Sequence, residues 1–248
     1  MWEHLTSAVT PFLIEALAPM PGERVLDLGC GVGTATMRIA AAVGPAGTVT
    51  GIDICPAVIE EAKRRATSHR NLMLHVGDAA RDCFPSAPFT AATSQFGVMF
   101  FDDPIAGFTN IRRHLTTDAR LCFSCWQSAD LNPWSYAAKI ADLLPLPPES
   151  SNGYRPGPFS LSDPGHLRRI LTQSGYHSLD IRAHRTCVVL PEETVVDDTE
   201  LTGMGVPVAK LFEARHRVWQ VLKPHRHVAG LLQIPLAFHL VTATAGIG

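Results

Sequence analysis

Residues 24–34 read Arg-Val-Leu-Asp-Leu-Gly-Cys-Gly-Val-Gly-Thr, an apolar run followed by three glycines at alternate positions. The run predicts a buried strand, and the residues from Thr34 onward predict a helix. Glycines between a strand and a helix let the backbone turn sharply and let a ligand approach the main chain, beside the partly positive helix amino terminus. We therefore expect a ligand to bind on bare backbone here.

Two phosphate-binding interpretations of this glycine loop fail. Counting from Gly29, a dinucleotide fingerprint requires Gly or Ala at the position that Thr34 occupies. A nucleotide-triphosphate loop requires Gly-Lys followed by Ser or Thr, and that sequence does not follow these glycines.

On both sides of the loop, short apolar runs alternate with helical patterns, which is typical of a parallel sheet covered by helices on both faces. We predict an α/β, Rossmann-like fold with a seven-stranded, mostly parallel sheet whose last strand pairs antiparallel. The predicted strands are 24–29, 48–53, 72–77, 89–95, 119–126, 179–190 and 234–243, and the predicted helices are 5–18, 34–43, 56–68, 104–115, 163–174 and 209–222.

Two irregular segments interrupt this alternation. Residues 127–160 contain Asn-Pro-Trp and a proline-rich stretch, and residues 191–228 are mostly polar. Loops at the carboxyl edge of an open α/β sheet vary in length and carry function. We expect one domain, residues 1–248, in which these two segments form a cover that selects the substrate.

Aspartates end two successive predicted strands, Asp53 on the second and Asp78 on the third. Either one alone is as typical of a helix cap or a turn as of a ligand contact. At the carboxyl edge of the sheet, however, a carboxylate can accept hydrogen bonds from both hydroxyls of a ribose. Beside the glycine loop, the two aspartates together indicate a nucleoside bound without phosphates.

The sequence resembles the class I S-adenosylmethionine-dependent methyltransferases in Val25–Ala40, Gly51–Ala66 and Gly77–Ala79. Further segments resemble a bacterial subgroup related to ubiquinone and menaquinone methyltransferases, so that the similarity covers nearly the whole chain. These segments are residues 95–101, 125–126, 132–134, 156–164 and 235–243.

The resemblance implies S-adenosylmethionine as cofactor and S-adenosylhomocysteine as its product. It assigns residues to four parts of the cofactor, and it adds Cys30 and Ile54 to the binding set. The implied contacts are Asp27, Gly29, Gly31 and Gly33 at the methionine side, Asp53 at the ribose, Asp78 and Ala79 at the adenine, and Ser94 with Gln95 at the sulfonium end.

The sequence departs from the family pattern at three places. Thr90 stands where relatives usually carry aspartate, Thr117-Asp118-Ala119 replaces a Pro-Gly-Gly turn, and Gln95 occupies a position that is often arginine. None of these changes removes an implied cofactor contact.

Aromatic residues mark a candidate substrate cavity, although any single tryptophan is more often part of a core. We predict that Trp126, Trp134 and Phe159 bind the substrate, with the two tryptophans on opposite sides of the reacting methyl group. His225 is the acid/base candidate and is expected near the rim. A histidine in such a polar segment is more often simply solvated.

The cysteines do not indicate a metal site. Cys122 and Cys125 lie on one predicted strand, where a spacing of three points the side chains to opposite faces, and no second pair completes a zinc set. His225 and His227 likewise have no nearby third ligand. We expect no bound metal.

Composition narrows the partners and the compartment. The chain has 248 residues, six cysteines and a formal net charge of −2, which disfavours nucleic acid and anionic membranes as partners. Residues 228–248 are uncharged, but interrupting polar residues favour two buried strands over a membrane span. We expect a reduced, cytoplasmic protein that acts on a small molecule, with a homodimer left open.

Two functions remain after these steps. The first is methyl transfer from S-adenosylmethionine to a small, hydrophobic or aromatic metabolite. The second is a protein that binds the same cofactor without transferring its methyl group, in an electrostatic, pericyclic or regulatory role. Departure of labelled methyl from the cofactor separates them.

Overall fold

The computed structural model describes residues 2–84, 86–145, 154–194, 198–228 and 230–246 and contains a seven-stranded sheet. The strand order is β3-β2-β1-β4-β5-β7-β6, which confirms the predicted fold class. The strands are β1 Arg24–Leu28, β2 Thr48–Asp53, β3 Leu72–Val76, β4 Phe89–Gln95, β5 Leu115–Trp126, β6 Tyr176–Pro191 and β7 Leu231–Ala245.

Eight α-helices lie within the described residues. Several begin with proline at the first turn, where the missing N–H costs no hydrogen bond. The helices are α1 Trp2–Ser7, α2 Thr10–Leu17, α3 Thr34–Val43, α4 Pro56–Arg65, α5 Pro104–Arg113, α6 Pro164–Gln173, α7 Asp198–Gly203 and α8 Leu211–Leu222.

The register of the parallel strands brings their carboxyl ends to one edge of the sheet. Leu28 pairs with Ile52 between β1 and β2, and Asp27 pairs with Thr93 between β1 and β4. The strand β7 runs antiparallel to β5, so that Trp126 pairs with Phe238 at the same edge. Residues that follow β1 to β4 therefore meet at one place.

The chain divides into two compact units. The sheet unit comprises Val9–Gln127, Arg155–His184 and Phe238–Gly248, and the second unit comprises Met1–Ala8, Ser128–Tyr154 and Arg185–Ala237. Most of the residues of the two predicted cover segments thus fall in the second unit, while 127 and 155–160 belong to the sheet unit. Residues 146–153 and 195–197 of these segments lie outside the described residues. Their action as a cover stays a prediction.

The core of the sheet unit buries residues on both faces of its strands. Val25, Leu26, Val49 and Leu121 are fully buried, as expected for strands covered on both faces. From the helices, Ile39 of α3 is fully buried as well.

Several of the predicted elements differ in extent from the structure. The entry helix over 5–18 is two helices, α1 and α2, because Pro11 begins a new helix in the first turn of α2. The two strands expected in residues 228–248 are one long strand, β7, within the described residues 230–246.

Strand β5 is longer than predicted, and its pairing with β4 is irregular at Thr90, the position where relatives usually carry aspartate. It already begins at Leu115, and the pairing with β4 shifts register between Phe89 and Ala91. The Thr90 hydroxyl accepts a hydrogen bond from the Arg24 backbone N–H at 3.1 Å and lies 3.2 Å from the Arg24 carbonyl oxygen, to which it donates. The hydroxyl therefore ties β4 to the start of β1.

Candidate functional site

A cleft of about 320 Å³ opens in the sheet unit at the carboxyl ends of β1 to β4. It brings together six of the predicted cofactor residues, which lie far apart in the sequence. The residues that line it are Gly29, Ile52, Asp53, Ile54, Gly77, Asp78, Ala79, Gln95, Phe96, Gly97, Phe100 and Phe101.

Close backbone contact in the cleft lining requires glycine just after β1 and just after β4. Gly29 has a φ of 65°, and a Cβ placed on it would lie 2.9 Å from Cα of Gly97. A Cβ on Gly97 would lie 2.7 Å from the Leu28 carbonyl oxygen. Real Cβ atoms do not approach so closely, so both positions need glycine for the ends of β1 and β4 to meet.

Asp53 holds the glycine loop in place from the end of β2. One carboxylate oxygen accepts the backbone N–H of Gly31 at 2.9 Å, and the other accepts the backbone N–H of Cys55 at 2.9 Å. The bond to Cys55 closes a local turn, which is the role that an aspartate at a strand end can have without any ligand. Each oxygen keeps a further lone pair for a ligand hydroxyl.

Asp27 lies beneath the loop and is almost completely buried. Its carboxylate accepts the Thr36 hydroxyl at 2.6 Å. Burial raises the pKa of Asp27 to about 7, the Thr36 hydrogen bond opposes that rise, and the negative charge of Asp53 adds to it. Asp27 is not among the cleft lining, and its bond to Thr36 ties β1 to α3, the helix that follows the loop.

After the end of β3, Asp78 lines the cleft, and its carboxylate also takes part in a local turn. Its carboxylate accepts the Ala80 backbone N–H at 2.9 Å and lies 3.6 Å from the Arg81 guanidinium. Its own N–H donates to the Asp82 carboxylate at 2.8 Å. The neighbouring Ala79 is buried and also lines the cleft.

Ser94 and Gln95, at the end of β4, have different surroundings: the Ser94 hydroxyl bonds to backbone groups, and Gln95 lines the cleft. The buried Ser94 hydroxyl donates to the Leu28 carbonyl at 2.7 Å and accepts the N–H groups of Gly97 and Val98. Gln95 lines the cleft and accepts the Thr10 hydroxyl of α2 at 3.0 Å. Ser94 therefore joins β1 to the turn after β4, while Gln95 faces the cleft.

The remaining predicted cofactor residues flank the cleft. Cys30 is buried, and burial raises the pKa of its thiol well above the usual range. Gly31 has a φ of 55° with open space where a Cβ would point, and Gly33 caps α3 at a φ of 84°. Ile54 lines the cleft with 71% of its surface exposed.

The aromatic residues after β4 were not assigned to the site from the sequence. In residues 95–101, they were used only for the resemblance to ubiquinone and menaquinone methyltransferases. Phe96, Phe100 and Phe101 all line the cleft. The signal was their position directly after a strand that ends at the binding edge. Only the pairing of β4 with β5 shows that the Phe96 ring stacks on Trp126, with centroids 3.9 Å apart and planes 8° apart.

The predicted substrate residues fall in both units. Trp126 belongs to the sheet unit, where it is 1% exposed behind Phe96 and is not itself part of the cleft lining. Phe159, in the same unit, is half-buried on a segment tied to Met99, whose carbonyl accepts the Gly157 N–H at 3.0 Å.

Trp134 and His225 belong to the second unit. Trp134 is buried, and its indole N–H donates to the Asn132 side-chain oxygen at 3.0 Å. His225 is half-buried at the end of a 3₁₀ turn, Lys223–His225. Their assigned roles in substrate binding and acid/base chemistry stay predictions.

Cys122 and Cys125 are both buried and contact different parts of the sheet unit. The Cys122 thiol lies 3.9 Å from the Leu13 carbonyl, and the Cys125 thiol lies 3.6 Å from the Leu161 carbonyl. Across the described ranges of the chain, no three histidine, cysteine or acidic side chains are grouped so as to hold a metal ion.

Comparison with known proteins connects this geometry to a family. Residues 25–118, which carry the glycine loop, Asp53, Asp78 and the turn after β4, match a family described as a methyltransferase domain. Over these residues, the chain is similar to a methyltransferase domain. The resemblance stated from the sequence is thereby confirmed.

Curated relatives share this methyltransferase domain. The chain is 38% identical over 114 residues to aklanonic acid methyltransferase DauC of Streptomyces sp. (strain C5), covering 45% of this chain and 52% of that protein. It is 32% identical over 111 residues to nocamycin O-methyltransferase of Saccharothrix syringae, covering 44% and 40%. The matched region is thus about half the length of these relatives or less.

The menaquinone-type subgroup also matches the methyltransferase domain. Demethylmenaquinone methyltransferase of Staphylococcus aureus is 26% identical over 171 residues, which cover 65% of this chain and 71% of that protein.

Solved structures share the fold of this chain at low identity. The YcgJ protein of Bacillus subtilis superposes with a TM-score of 0.64 at 16% identity, covering 96% of this chain and 98% of that one. The [4+2]-cyclase SpnF superposes with a TM-score of 0.61 at 18% identity, covering 97% and 81%. Within the described residues, no helix has both the length and the apolar character needed to span a membrane.

Proposed function

We propose that this chain binds S-adenosylmethionine in the cleft at the carboxyl ends of β1 to β4 and transfers its methyl group to a small, hydrophobic or aromatic metabolite. The observation that carries the proposal is the joint position of Gly29, Asp53, Asp78 and Gln95 around one cleft. The described residues lining this cleft include two aspartates and neither lysine nor arginine, which suits a nucleoside without phosphates and a cationic sulfonium.

The residues present fit this cofactor at each part of the cleft. A free lone pair on each Asp53 oxygen is available to ribose hydroxyls, and Asp78 with Ala79 lies at the next strand end for the adenine. At the glycine loop, the open space at Gly31 admits a ligand close to the main chain. Gln95 then lies on the side of the sulfonium.

The cofactor supplies an already activated methyl group on a positively charged sulfur. The protein therefore has to exclude water and align the acceptor for in-line displacement, and orientation alone can supply about 7–11 kcal/mol of barrier reduction. Exposed Ile54 and Phe100 give the cleft apolar walls that a bound ligand would cover. An acceptor that ionises easily needs no base, and His225 is the acid/base candidate for one that does not.

The curated relatives support a small-molecule acceptor. Two of them are named for methylating aklanonic acid and nocamycin, and a third for demethylmenaquinone. The formal charge of −2 and the acidic cleft lining agree with an acceptor that is not a nucleic acid. A cytoplasmic location fits the same proposal.

A second candidate is a protein that binds the cofactor without transferring its methyl group. It is favoured by the likeness to SpnF, which is named as a cyclase and shares the fold over 97% of this chain. The fold alone therefore does not distinguish transfer from a role in which the sulfonium acts only by its charge.

One experiment separates the two candidates. The purified protein is incubated with methyl-labelled S-adenosylmethionine and an extract of its host, and products are identified by mass spectrometry. Methyl transfer predicts a labelled small molecule and stoichiometric S-adenosylhomocysteine, both reduced in Asp53→Ala at the same cofactor concentration, chosen near the wild-type Kd. The second candidate would be favoured if calorimetry shows cofactor binding but no labelled product forms in extracts of host cultures grown under several conditions.

A further inference from the structure

Phe96 adopts a backbone conformation that bulky residues rarely take. Its φ is 63°, in the left-handed region, and its side chain is 94% removed from solvent. Such a conformation is unfavourable and persists where the surrounding structure imposes it, often at functional sites. Glycine would relieve the strain at this position, so the presence of a large ring calls for a reason.

Contacts from two neighbouring elements hold Phe96 in this conformation. Its backbone N–H donates to the Ser124 carbonyl of β5 at 3.2 Å, and the next residue, Gly97, is held by Ser94 and by its close approach to Gly29. The result is a fixed ring direction at the end of β4.

Trp126 fixes the ring further. The two rings lie face to face 3.9 Å apart, and the Trp126 backbone N–H donates to the Met99 sulfur at 3.4 Å. Since Trp126 covers one face of Phe96, only the other face and the rim of the ring can face the cleft that Phe96 lines. Trp126 thus supports the ring without lining the cleft.

The strand order gives this ring a place along the ligand. Under the proposed function, adenine lies at the end of β3, ribose at β2 and the methionine part at β1, and the next strand in the sheet is β4. The sulfonium and its methyl group then lie beside the residues that end β4. Among the aromatic residues that line the cleft after β4, Phe96 is the one that directly follows the strand.

We propose that the ring of Phe96, held by Trp126, binds the positively charged sulfonium of the cofactor by a cation–π interaction and so distinguishes S-adenosylmethionine from its neutral product. This inference rests on the proposed function. A cation near the face of an aromatic ring in a partly desolvated cleft is attracted by the ring quadrupole, and the thioether of S-adenosylhomocysteine is not. Trp126 is a positioning residue that acts through Phe96.

Calorimetry tests the proposal without a methyl acceptor. The probes are S-adenosylmethionine, S-adenosylhomocysteine, and an analogue in which a carbon bearing a protonated amine replaces the methylated sulfonium. Phe96→Leu keeps an apolar side chain but removes the ring, so the Kd for both cationic ligands should rise about three- to tenfold relative to that for S-adenosylhomocysteine. Phe96→Tyr should retain the wild-type ratio.

Control variants separate charge recognition from general damage. Ile54→Ala, at the end of β2, should weaken the cationic and neutral ligands by the same factor. Trp126→Leu should lower the preference for the cations, and Trp126→Phe should preserve it because a stacked ring remains. If Phe96→Leu does not fold, Phe96→Gly, which relieves the left-handed strain, provides the same measurement.

The outcomes distinguish this inference from the proposed function. Equal losses for cationic and neutral ligands in the Phe96 variants overturn the cation–π assignment and leave the proposed function intact. A loss for S-adenosylmethionine alone, with the amine analogue unaffected, shows contact with the methyl group instead of the charge and also overturns it. Wild-type protein that binds none of the probes overturns both proposals.

Discussion

Different kinds of contact stabilise the binding edge of the sheet unit and the surface of the second unit. At the edge, carboxylates and hydroxyls bind the backbone, as Asp53 binds the N–H of Gly31 and Ser94 binds the carbonyl of Leu28. In the second unit, ion pairs such as Arg217 with Asp142 and Arg226 with Glu192 lie on the surface. Exposed pairs of this kind contribute about 0–1 kcal/mol each.

This difference suggests a division of labour. A site made of backbone groups held by buried side chains presents nearly the same shape whatever the exposed side chains are. The second unit adds exposed ion pairs to its own buried core, and side chains in such surface pairs can change at little cost in stability. We infer that the edge of the sheet unit is suited to a constant ligand, and the second unit to a variable one.

The largest expected effect is that of Gly31→Val. The space around the Gly31 Cβ position is open, but the backbone lies in the left-handed region at a φ of 55°. We expect the variant to fold with about 1–3 kcal/mol lower stability and to lose cofactor binding, since the side chain fills the space proposed for the ligand. Thermal melting with and without S-adenosylmethionine measures both effects.

Gly22→Val is the matched control for strain. Gly22 also has a positive φ, 85°, and open space at its Cβ position, but it precedes β1 at the opposite edge of the sheet. It should lose similar stability and keep the full increase in Tm on adding cofactor. A Gly31→Val protein that is stabilised as much as wild type would show that the loop does not touch the ligand.

The second effect concerns the support beneath the loop. Because burial raises the pKa of Asp27 to about 7, the folded protein holds this proton over a range in which the unfolded chain, with a pKa near 3.8, has lost it. Stability from this group is therefore full below about pH 4 and falls as the pH rises to about 7. Asp27→Asn, which keeps an acceptor for Thr36, should remove this dependence.

Urea unfolding at pH 5 and pH 8 checks the Asp27 prediction on cofactor-free protein. The free energy of unfolding of the wild type, relative to Asp27→Asn, should fall by about 3 kcal/mol at most between these pH values. A constant difference between the two proteins would mean that Asp27 is ionised throughout and that burial does not control it.

Asp53→Ala removes the carboxylate that accepts the Gly31 N–H of the glycine loop and is proposed to accept the ribose hydroxyls. Unpaired ribose hydroxyls cost about 1.5–3 kcal/mol per charged hydrogen bond, so the cofactor Kd should rise at least tenfold. Asp163→Ala is the control, because that carboxylate also accepts a backbone N–H, from Gly165 at 2.8 Å, at the start of α6. Unchanged cofactor affinity in a folded Asp53→Ala protein would contradict the ribose assignment.

The two regions also differ in how far they could be predicted from sequence. The strands β2 and β4 and the helix α3 have the predicted bounds, because apolar runs and glycine or proline boundaries are local signals. For the same reason Asp53 and Asp78 could be placed at strand ends. The continuous apolar pattern of covered parallel strands leaves few alternatives.

Features that depend on distant residues could not be predicted. The stack of Phe96 on Trp126 joins residues 30 positions apart and needs the register of β4 with β5. The burial of Asp27 depends on how α3 covers β1, and a strand pattern alone does not show that Ser94 binds backbone instead of ligand. In the second unit, the short helix α7 carries too weak a periodic signal to be recognised.

The smallest expected effect on cofactor binding is that of Trp134→Ala in the second unit. Trp134 donates to Asn132, whose side chain also binds the N–H and carbonyl of Ala237 at 2.9 Å each, so this cluster organises the unit. If the unit selects the acceptor, the variant should keep the cofactor Kd within about twofold while methyl transfer to the acceptor falls at least tenfold, since apolar contact is removed from one ligand only.

Two further variants decide whether that loss is specific. Trp134→Phe keeps the ring but not the N–H bond to Asn132, and it should retain more transfer than Trp134→Ala if the ring contacts the acceptor. Trp219→Ala disturbs the second unit elsewhere, where Arg226 lies 4.9 Å from the indole centroid, and should leave transfer near wild type. Calorimetry with S-adenosylhomocysteine and label transfer into a host extract measure the two ligands separately. Equal losses of cofactor binding and transfer in Trp134→Ala would mean that this tryptophan supports the whole fold, and the assignment of acceptor choice to the second unit would fail.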